Sequence, residues 1–282
     1  MKKLLATILC LSLMVAAVTG CTKAPAEGDI KGSAEDGLSG TVTVGGSTSV
    51  ESVILSAIEI FNEENSDVTI TYDPTGSSTG VKSAASGDYD IGLASRDVKA
   101  SETEELKAKG TVFAIDGIAM VVNNENAITD LTIEQIANIA NGTITNWSEL
   151  GGADSAIVLI GREAGSGTRD GFESIVGVEE CVYEQALTST GAVIGAVSQN
   201  PNAIGYASLS SVDEKVKAIT VEGVEASEST IKDGSYKVQR NFNFVTIEGK
   251  ELSPAAQAFY DFLLSADADE LIKNAGAVPT AK

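Results

Sequence analysis

The sequence predicts an α/β fold in two lobes, and three observations lead there. Short apolar runs that suit buried strands alternate with segments whose apolar residues recur at helical spacing. Such alternation builds parallel sheets covered by helices. Two extended runs, near 112–122 and 236–247, are longer than the others and would carry the chain from one lobe to the other and back. Between these hinge-like crossings the alternation starts afresh. The first lobe would combine 40–115 with 245–282, and the second would be the continuous stretch 120–235. On pattern alone, one continuous α/β domain is the alternative.

Taken in order, Thr41-Val42-Thr43-Val44 reads as a strand and Gly45–Ser49 as a loop. Val50, Val53, Ile54, Ala57, Ile58 and Phe61 then mark one face of a helix. Asp67 to Tyr72 alternates as a strand does, Asp73 to Gly80 is rich in turn residues, and a short helix is expected over about 81–86. Ile91-Gly92-Leu93-Ala94 is a further buried strand, and Ser101 with Glu104 suits a capping box. After the first long run, Thr132 and Gln135 open a helix to about Ala140 that closes near Gly142. Ala156 to Ile160 is a strand, followed by a Gly-rich loop and a helix to about Val176. A helix over 191–199 and a strand over 203–207 follow. Beyond the second long run, Ser253-Pro254 is an N-cap with proline at the first helical position, and helices occupy most of what remains.

The N-terminal 20 residues read as a leader rather than as part of the fold. Lys2 and Lys3 precede an apolar stretch, Leu4 to Val18, of signal-peptide length and short for a membrane span. It ends in Val18-Thr19-Gly20-Cys21, which resembles a lipobox, so Cys21 would become the lipidated N-terminus on the outer face of the cytoplasmic membrane. Residues 21–39 have few large apolar side chains and read as a flexible tether. The net charge of −21 argues against nucleic acid or an anionic lipid surface as a partner, since both need a basic footprint. Beyond Cys10 and Cys21 only Cys181 remains, so the mature chain forms no internal disulfide, and a lone Cys is most often a small packed hydrophobe. The absence of His removes Ser-His-Asp and Cys-His catalysis and leaves zinc few ligands. No cofactor and no metal site is expected.

Three loops share one design. Gly45–Ser49, Gly76–Gly80 and Gly165–Thr168 each follow a strand, are rich in Gly, Ser and Thr, and open a helix. A helix start presents unpaired N–H groups and a partial positive charge; glycine permits close approach, and hydroxyls add uncharged donors. At the C-terminal ends of strands, such loops suit a small anion. Each alone could be an ordinary helix cap. The arginines are four: Arg96, Arg162, Arg169 and Arg240. Arg162 precedes Ser166 by four residues and offers a planar fork suited to an oxyanion. Arg169 is placed to pair with Asp170 or Glu173, Ser95 and Arg96 could face the cleft from the end of their strand, and Arg240 lies on the second crossing. None of the loops ends in the Gly-Lys-Ser/Thr of a P-loop.

Three segments carry a resemblance: Gly46-Ser47-Thr48-Ser49-Val50, Gly76-Ser77-Ser78-Thr79-Gly80, and Arg162-Glu163-Ala164-Gly165-Ser166-Gly167-Thr168-Arg169. Together with Asp90 to Arg96 and Ala203-Ile204-Gly205-Tyr206, they resemble the ligand loops of the phosphate-binding proteins of phosphate-specific ABC importers. The resemblance runs from about Thr41 to the C-terminus. It implies a two-lobed type II periplasmic-binding-protein fold closing on inorganic phosphate, and delivery of that phosphate to the importer's permease subunits. It implies phosphate contacts from Thr48, Ser49 and Ser77 in one lobe and from Arg162, Ser166, Gly167 and Thr168 in the other; Ser47 and Gly165 in the same loops, and Ser95 and Arg96 at their strand end, are further ligand candidates. The protein would act as a monomer and carry out no covalent chemistry. Two places depart from the family. Some members have Asp at the strand end where this chain has Ser95-Arg96-Asp97, and some have Asp two residues after the loop arginine, where this chain has Ala164 beside Glu163. The other functions compatible with these residues are a binding protein for sulfate or molybdate, a hydrolase using Ser166, and a surface adhesin or phosphate receptor outside transport.

Overall fold

The computed structural model describes residues 37–280. The leader, both N-terminal cysteines and all of the tether except its last three residues lie outside the described residues. The first part of the fold runs β1 (Gly40–Gly46), a 3-10 turn at Thr48–Val50, α1 (Glu51–Glu64), β2 (Val68–Pro74), α2 (Ser77–Ser86), β3 (Ile91–Ala94), α3 (Ala100–Leu106) and the long β4 (Ala108–Asn123). The middle holds β5 (Asp130–Leu131), α4 (Ile133–Ala140), β6 (Val158–Arg162), α5 (Gly167–Val176), β7 (Gln185–Leu187), α6 (Thr190–Gln199) and β8 (Ala203–Ser208). Then come β9 (Val216–Ala218), β10 (Thr220–Val221), α7 (Glu228–Lys232), β11 (Gln239–Ile247), α8 (Pro254–Leu264), α9 (Asp269–Asn274) and β12 (Val278–Pro279).

The α/β alternation is as expected, and the sheet is mixed. Parallel pairing holds where a strand feeds a helix: β1 lies between β2 and β3, and β6 lies between β8 and β7. The long strands join these parallel groups and run antiparallel to their neighbours, in the order β2-β1-β3-β11-β4-β8-β6-β7. Residues 108–117 of β4 pair with β11, and residues 118–122 pair with β8. A strand that serves two partners in succession must be long, which explains why this run stood out in the sequence.

The buried side chains divide at the same place. One core draws on 42–114 and 242–277, including Val44, Ile54, Leu93, Phe113, Phe244 and Phe259. The other draws on 118–238 and adds Val278; Met120, Trp147, Phe172, Ile194, Tyr206 and Tyr236 are among its members. Helix α1 shows how sequence becomes packing. Val53, Ile54, Ala57 and Phe61 form its buried stripe, and Phe61 meets Phe259 edge to face at 5.4 Å. Removing that ring would cost about 3–5 kcal/mol, because the cavity it leaves closes only partly. Leu38, in the last residues expected to be tether, packs on the same core.

Two local expectations change. Helix α2 begins at Ser77 rather than near Val81, because Gly76 takes a φ of 98° and lets the chain turn directly into the helix. Helix α3 begins at Ala100, and its start is closed by Glu102, whose carboxylate accepts from the Lys99 N–H at 2.9 Å, rather than by Ser101 with Glu104.

Candidate functional site

Five strand ends converge. Ser47–Ser49 follow β1, Ser77 opens α2 after β2, and Ser95 and Arg96 follow β3. From the other parallel group, Ser166–Thr168 follow β6, and Thr188–Thr190 follow β7. Crowding sets how closely they meet. A side chain at Gly167 would place its Cβ 2.5 Å from Ser77 Oγ and 2.7 Å from Ser95 Oγ, so only glycine fits there. A Cβ at Gly80 would lie 2.8 Å from the Gly46 Cα, which lets the first two loops touch backbone to backbone.

The hydroxyls form two connected groups. In the first, Ser49 Oγ lies 2.8 Å from Thr168 Oγ1 and 3.0 Å from Thr190 Oγ1, and Thr48 Oγ1 lies 3.2 Å from Thr190 Oγ1. In the second, Ser77 Oγ accepts from the Ser95 N–H at 3.1 Å and sits 3.3 Å from Ser95 Oγ. All six of these residues are buried. The Ser78 N–H donates to the Gly165 carbonyl at 3.0 Å, which ties the second loop to the third. Ser47 and Ser166 are buried too, and their hydroxyls cap: Ser47 Oγ accepts from the Ser49 N–H and Ser166 Oγ from the Arg169 N–H. A cavity of about 350 Å³ borders the cluster at Thr48 and Thr190 and is also lined by Glu51 and Lys215.

Arg162 is 2% exposed and ends its strand inside this cluster. Glu163 accepts from its Nε and Nη2, both at 2.9 Å, and the Leu187 carbonyl accepts from Nε at 3.1 Å. These bonds fix the guanidinium plane and leave Nη1 turned inward, where it donates to Thr190 Oγ1 at 3.1 Å. Glu163 therefore holds the arginine from the adjacent position, although residue 164 is alanine. The Arg162 N–H donates to the hydroxyl of Tyr206, whose own ionisation burial pushes up, so it stays a neutral partner.

The other arginines have carboxylates. Arg96 does not reach the hydroxyl cluster with its guanidinium. It donates to both oxygens of Glu102 at 2.8 and 2.7 Å, pairs with Asp170 at 2.9 Å, and touches Ser78 Oγ at 3.1 Å. Lys99 joins it on Asp170 at 2.8 Å. Burial would raise the Glu102 carboxyl, but the bonds from Arg96 and the Lys99 N–H outweigh it and hold the group below its usual range. Arg169 pairs with Glu173 at 2.8 Å, as the helical spacing predicts. Arg240 is forked on Asp116, at 3.1 Å from Nε and 2.8 Å from Nη2, and its Nη1 donates to Ser95 Oγ at 3.1 Å. Burial pushes Asp116 up and Arg240 down, and each one's charge opposes the other's shift. Asp97 accepts from Asn241 and Asn243, so its carboxylate has partners away from the cluster.

Thr190 is the cluster residue that sequence reasoning missed, although Thr188-Ser189-Thr190-Gly191 repeats the hydroxyl-glycine-helix design of the other loops. Its segment read only as a helix start. Chemically, the cluster offers helix-start N–H groups, buried hydroxyls and the inward edge of one arginine, a set matched to a small oxyanion. The carboxylates that meet the cluster's arginines, Glu163 and Asp116, are both engaged by them. Among the described residues there is no grouping of three or more acidic or Cys side chains suited to a metal ion, and no helix is long and apolar enough to cross a membrane.

Comparison with known proteins adds the following. A family profile described as a PBP superfamily domain matches residues 31–267. The chain is 32% identical over 248 residues to a phosphate-binding protein PstS of Borreliella burgdorferi, covering 83% of this chain and 88% of that one. It is 33% identical over 258 residues to the PstS of Bacillus subtilis, covering 87% and 82%. Among solved structures, a phosphate ABC transporter substrate-binding protein from Clostridium perfringens, determined with bound phosphate, superposes with a TM-score of 0.83 at 40% identity, covering 86% of this chain and 100% of that one. An ABC-type phosphate transport receptor from Vibrio cholerae gives 0.70 at 32% identity, covering 85% and 100%.

Proposed function

The chain belongs to the PBP superfamily and, within it, to the family of the phosphate-binding proteins PstS, and from that premise we propose that it captures inorganic phosphate outside the cytoplasmic membrane and hands it to the permease subunits of an ABC importer. One observation carries this: the inward edge of Arg162 faces buried hydroxyls and helix starts from five strand ends, in a chain of net charge −21. Such a field repels anions at long range, so affinity has to come from short, fixed donors. Phosphate would be held by hydroxyl and backbone groups of Thr48, Ser49, Ser77, Ser95, Ser166, Gly167 and Thr168 and by Arg162. Ser47 and Gly165 would shape the loops. Arg96 would act at one remove, clasping Asp170 in the first turn of α5. No covalent step and no cofactor is involved. Equilibrium dialysis of the mature protein against radiolabelled phosphate should give saturable uptake of one anion per chain. Saturation by sulfate or molybdate alone would favour a different oxyanion importer, and no uptake would overturn the proposal.

The lobes are 40–115 with 245–282, and 120–235, with hinges near 112–122 and 236–247. The division of the buried core between the two groups of strands supports this. Closing brings Ser49 to Thr168 and Arg96 to Asp170, so phosphate should reduce the radius of gyration in small-angle scattering. An unchanged radius with binding confirmed would count against the hinge. Anchored through Cys21 after removal of the leader, the protein would sit on the outer face of the membrane and act as a monomer. Stable attachment needs more than one acyl chain. Cys21→Ala should abolish labelling by a radioactive fatty acid, and retained labelling would refute the anchor.

A further inference from the structure

We propose that Thr190 is a positioning residue of the oxyanion site, which fixes the inward edge of Arg162 and couples it to Ser49. This rests on the phosphate-capture function above. Arginine only donates. Glu163 and the Leu187 and Thr188 carbonyls take Nε and Nη2, so Nη1 is the atom turned inward, and its partner there is Thr190 Oγ1 at 3.1 Å. Thr190 must accept that bond. A hydroxyl has one proton and room for two acceptances, and the Thr190 hydroxyl has two further neighbours, Ser49 Oγ at 3.0 Å and Thr48 Oγ1 at 3.2 Å.

Thr48 Oγ1 already accepts from the Thr190 N–H at 3.3 Å. One arrangement that satisfies every group has Thr48 donating into Thr190, and Thr190 donating its own proton to Ser49. Ser49 in turn lies 2.8 Å from Thr168 Oγ1. In that arrangement a directed chain runs from Arg162 through Thr190 and Ser49 to Thr168 and leaves the Thr168 proton for a ligand. Hydrogen bonds in such a chain polarise one another, so a positive charge at its head makes the terminal hydroxyl a better donor. An oxyanion needs that property. Helix capping does not explain the residue, because Ser189 Oγ already caps α6 by accepting from the Ala192 N–H at 3.1 Å. Thr190 is 2% exposed, so solvation does not explain it either.

Calorimetric titration with phosphate of the parent, Thr190→Val, Thr190→Ser, Arg162→Ala and the Arg162→Ala/Thr190→Val double variant tests this, with ligand-free unfolding midpoints measured alongside. Thr190→Val keeps the shape and loses the hydroxyl. It should weaken binding on the order of tenfold or more, as expected when a charged donor loses its buried partner. Thr190→Ser should stay within about threefold of the parent, and Thr190→Val in the Arg162→Ala background should add less than about threefold. If Thr190→Val does not fold, Thr190→Ala carries the same expectation. A Thr190→Val protein that binds like the parent overturns the inference and leaves phosphate capture standing. So does an equal loss in both backgrounds, because the residue would then act without Arg162. If the parent takes sulfate or molybdate and not phosphate, the ligand assignment fails, and the same variants titrated with that anion decide Thr190. A parent that binds no oxyanion overturns both.

Discussion

Arg162 and Arg240 invite comparison because both are buried, both end or cross a strand and donate to a buried hydroxyl, and both are forked on a carboxylate. They differ in where that carboxylate stands. Asp116, wholly buried and also bonded to Ser208, faces Arg240 across adjacent strands and makes a closed internal pair. Glu163 is the neighbour of Arg162 in the chain, is partly exposed, and takes only the outer edge of the guanidinium. The pairing of Arg240 holds the crossing strands together, whereas that of Arg162 aims a donor. In both the carboxylate takes Nε and Nη2 and leaves Nη1 to a hydroxyl, so the difference lies in whether the carboxylate stands across the sheet or next in the chain.

The largest effect should come from breaking the closed pair. Asp116→Asn leaves Arg240 charged and buried without its counter-ion, which should destabilise the protein by about 3–5 kcal/mol. Chemical denaturation would show this as a lower midpoint with an unchanged slope. A loss below about 1 kcal/mol would place the pair with ordinary surface ion pairs. Arg162→Ala should cost less stability and more function. Charge-assisted bonds to a buried anion contribute roughly 1.5–3 kcal/mol each, so phosphate affinity should fall by on the order of tenfold to several hundredfold. Arg162→Lys should recover part of it, because a point charge cannot rest on Glu163 and face inward at once. The smallest effect belongs to Arg169, whose partner Glu173 lies on its own helix: Arg169→Ala should change affinity by less than about threefold. If Arg169→Ala weakens binding and Arg162→Ala does not, the roles of the two arginines are reversed.

Much of this was legible in the sequence because its signals are local. The stripe on α1, the proline start of α8 and the hydroxyl-glycine loops each lie within a few residues. Helix α2 was placed late because its first turn, Ser77 to Gly80, holds no large apolar residue and its composition matches a turn. β5, β7, β9, β10 and β12 have two or three residues each, too few for a period to show. The partners of the arginines were hidden for a different reason. Asp116 and Arg240 are 124 positions apart, and Arg96 meets Asp170 only because the residues after β3 meet the first turn of α5. One clue was present: an acid inside the apolar run from Val112 to Val122 demands a buried cation, and few arginines were available to supply it.

The central claim is that these loops form a phosphate site for import, and the most direct measurement is calorimetric titration of the phosphate-stripped mature protein with phosphate and, separately, with sulfate. The account predicts one saturable phosphate site that sulfate does not occupy at equal concentration and that Arg162→Ala weakens. Equal or tighter binding of sulfate, or phosphate binding untouched by Arg162→Ala, would contradict it.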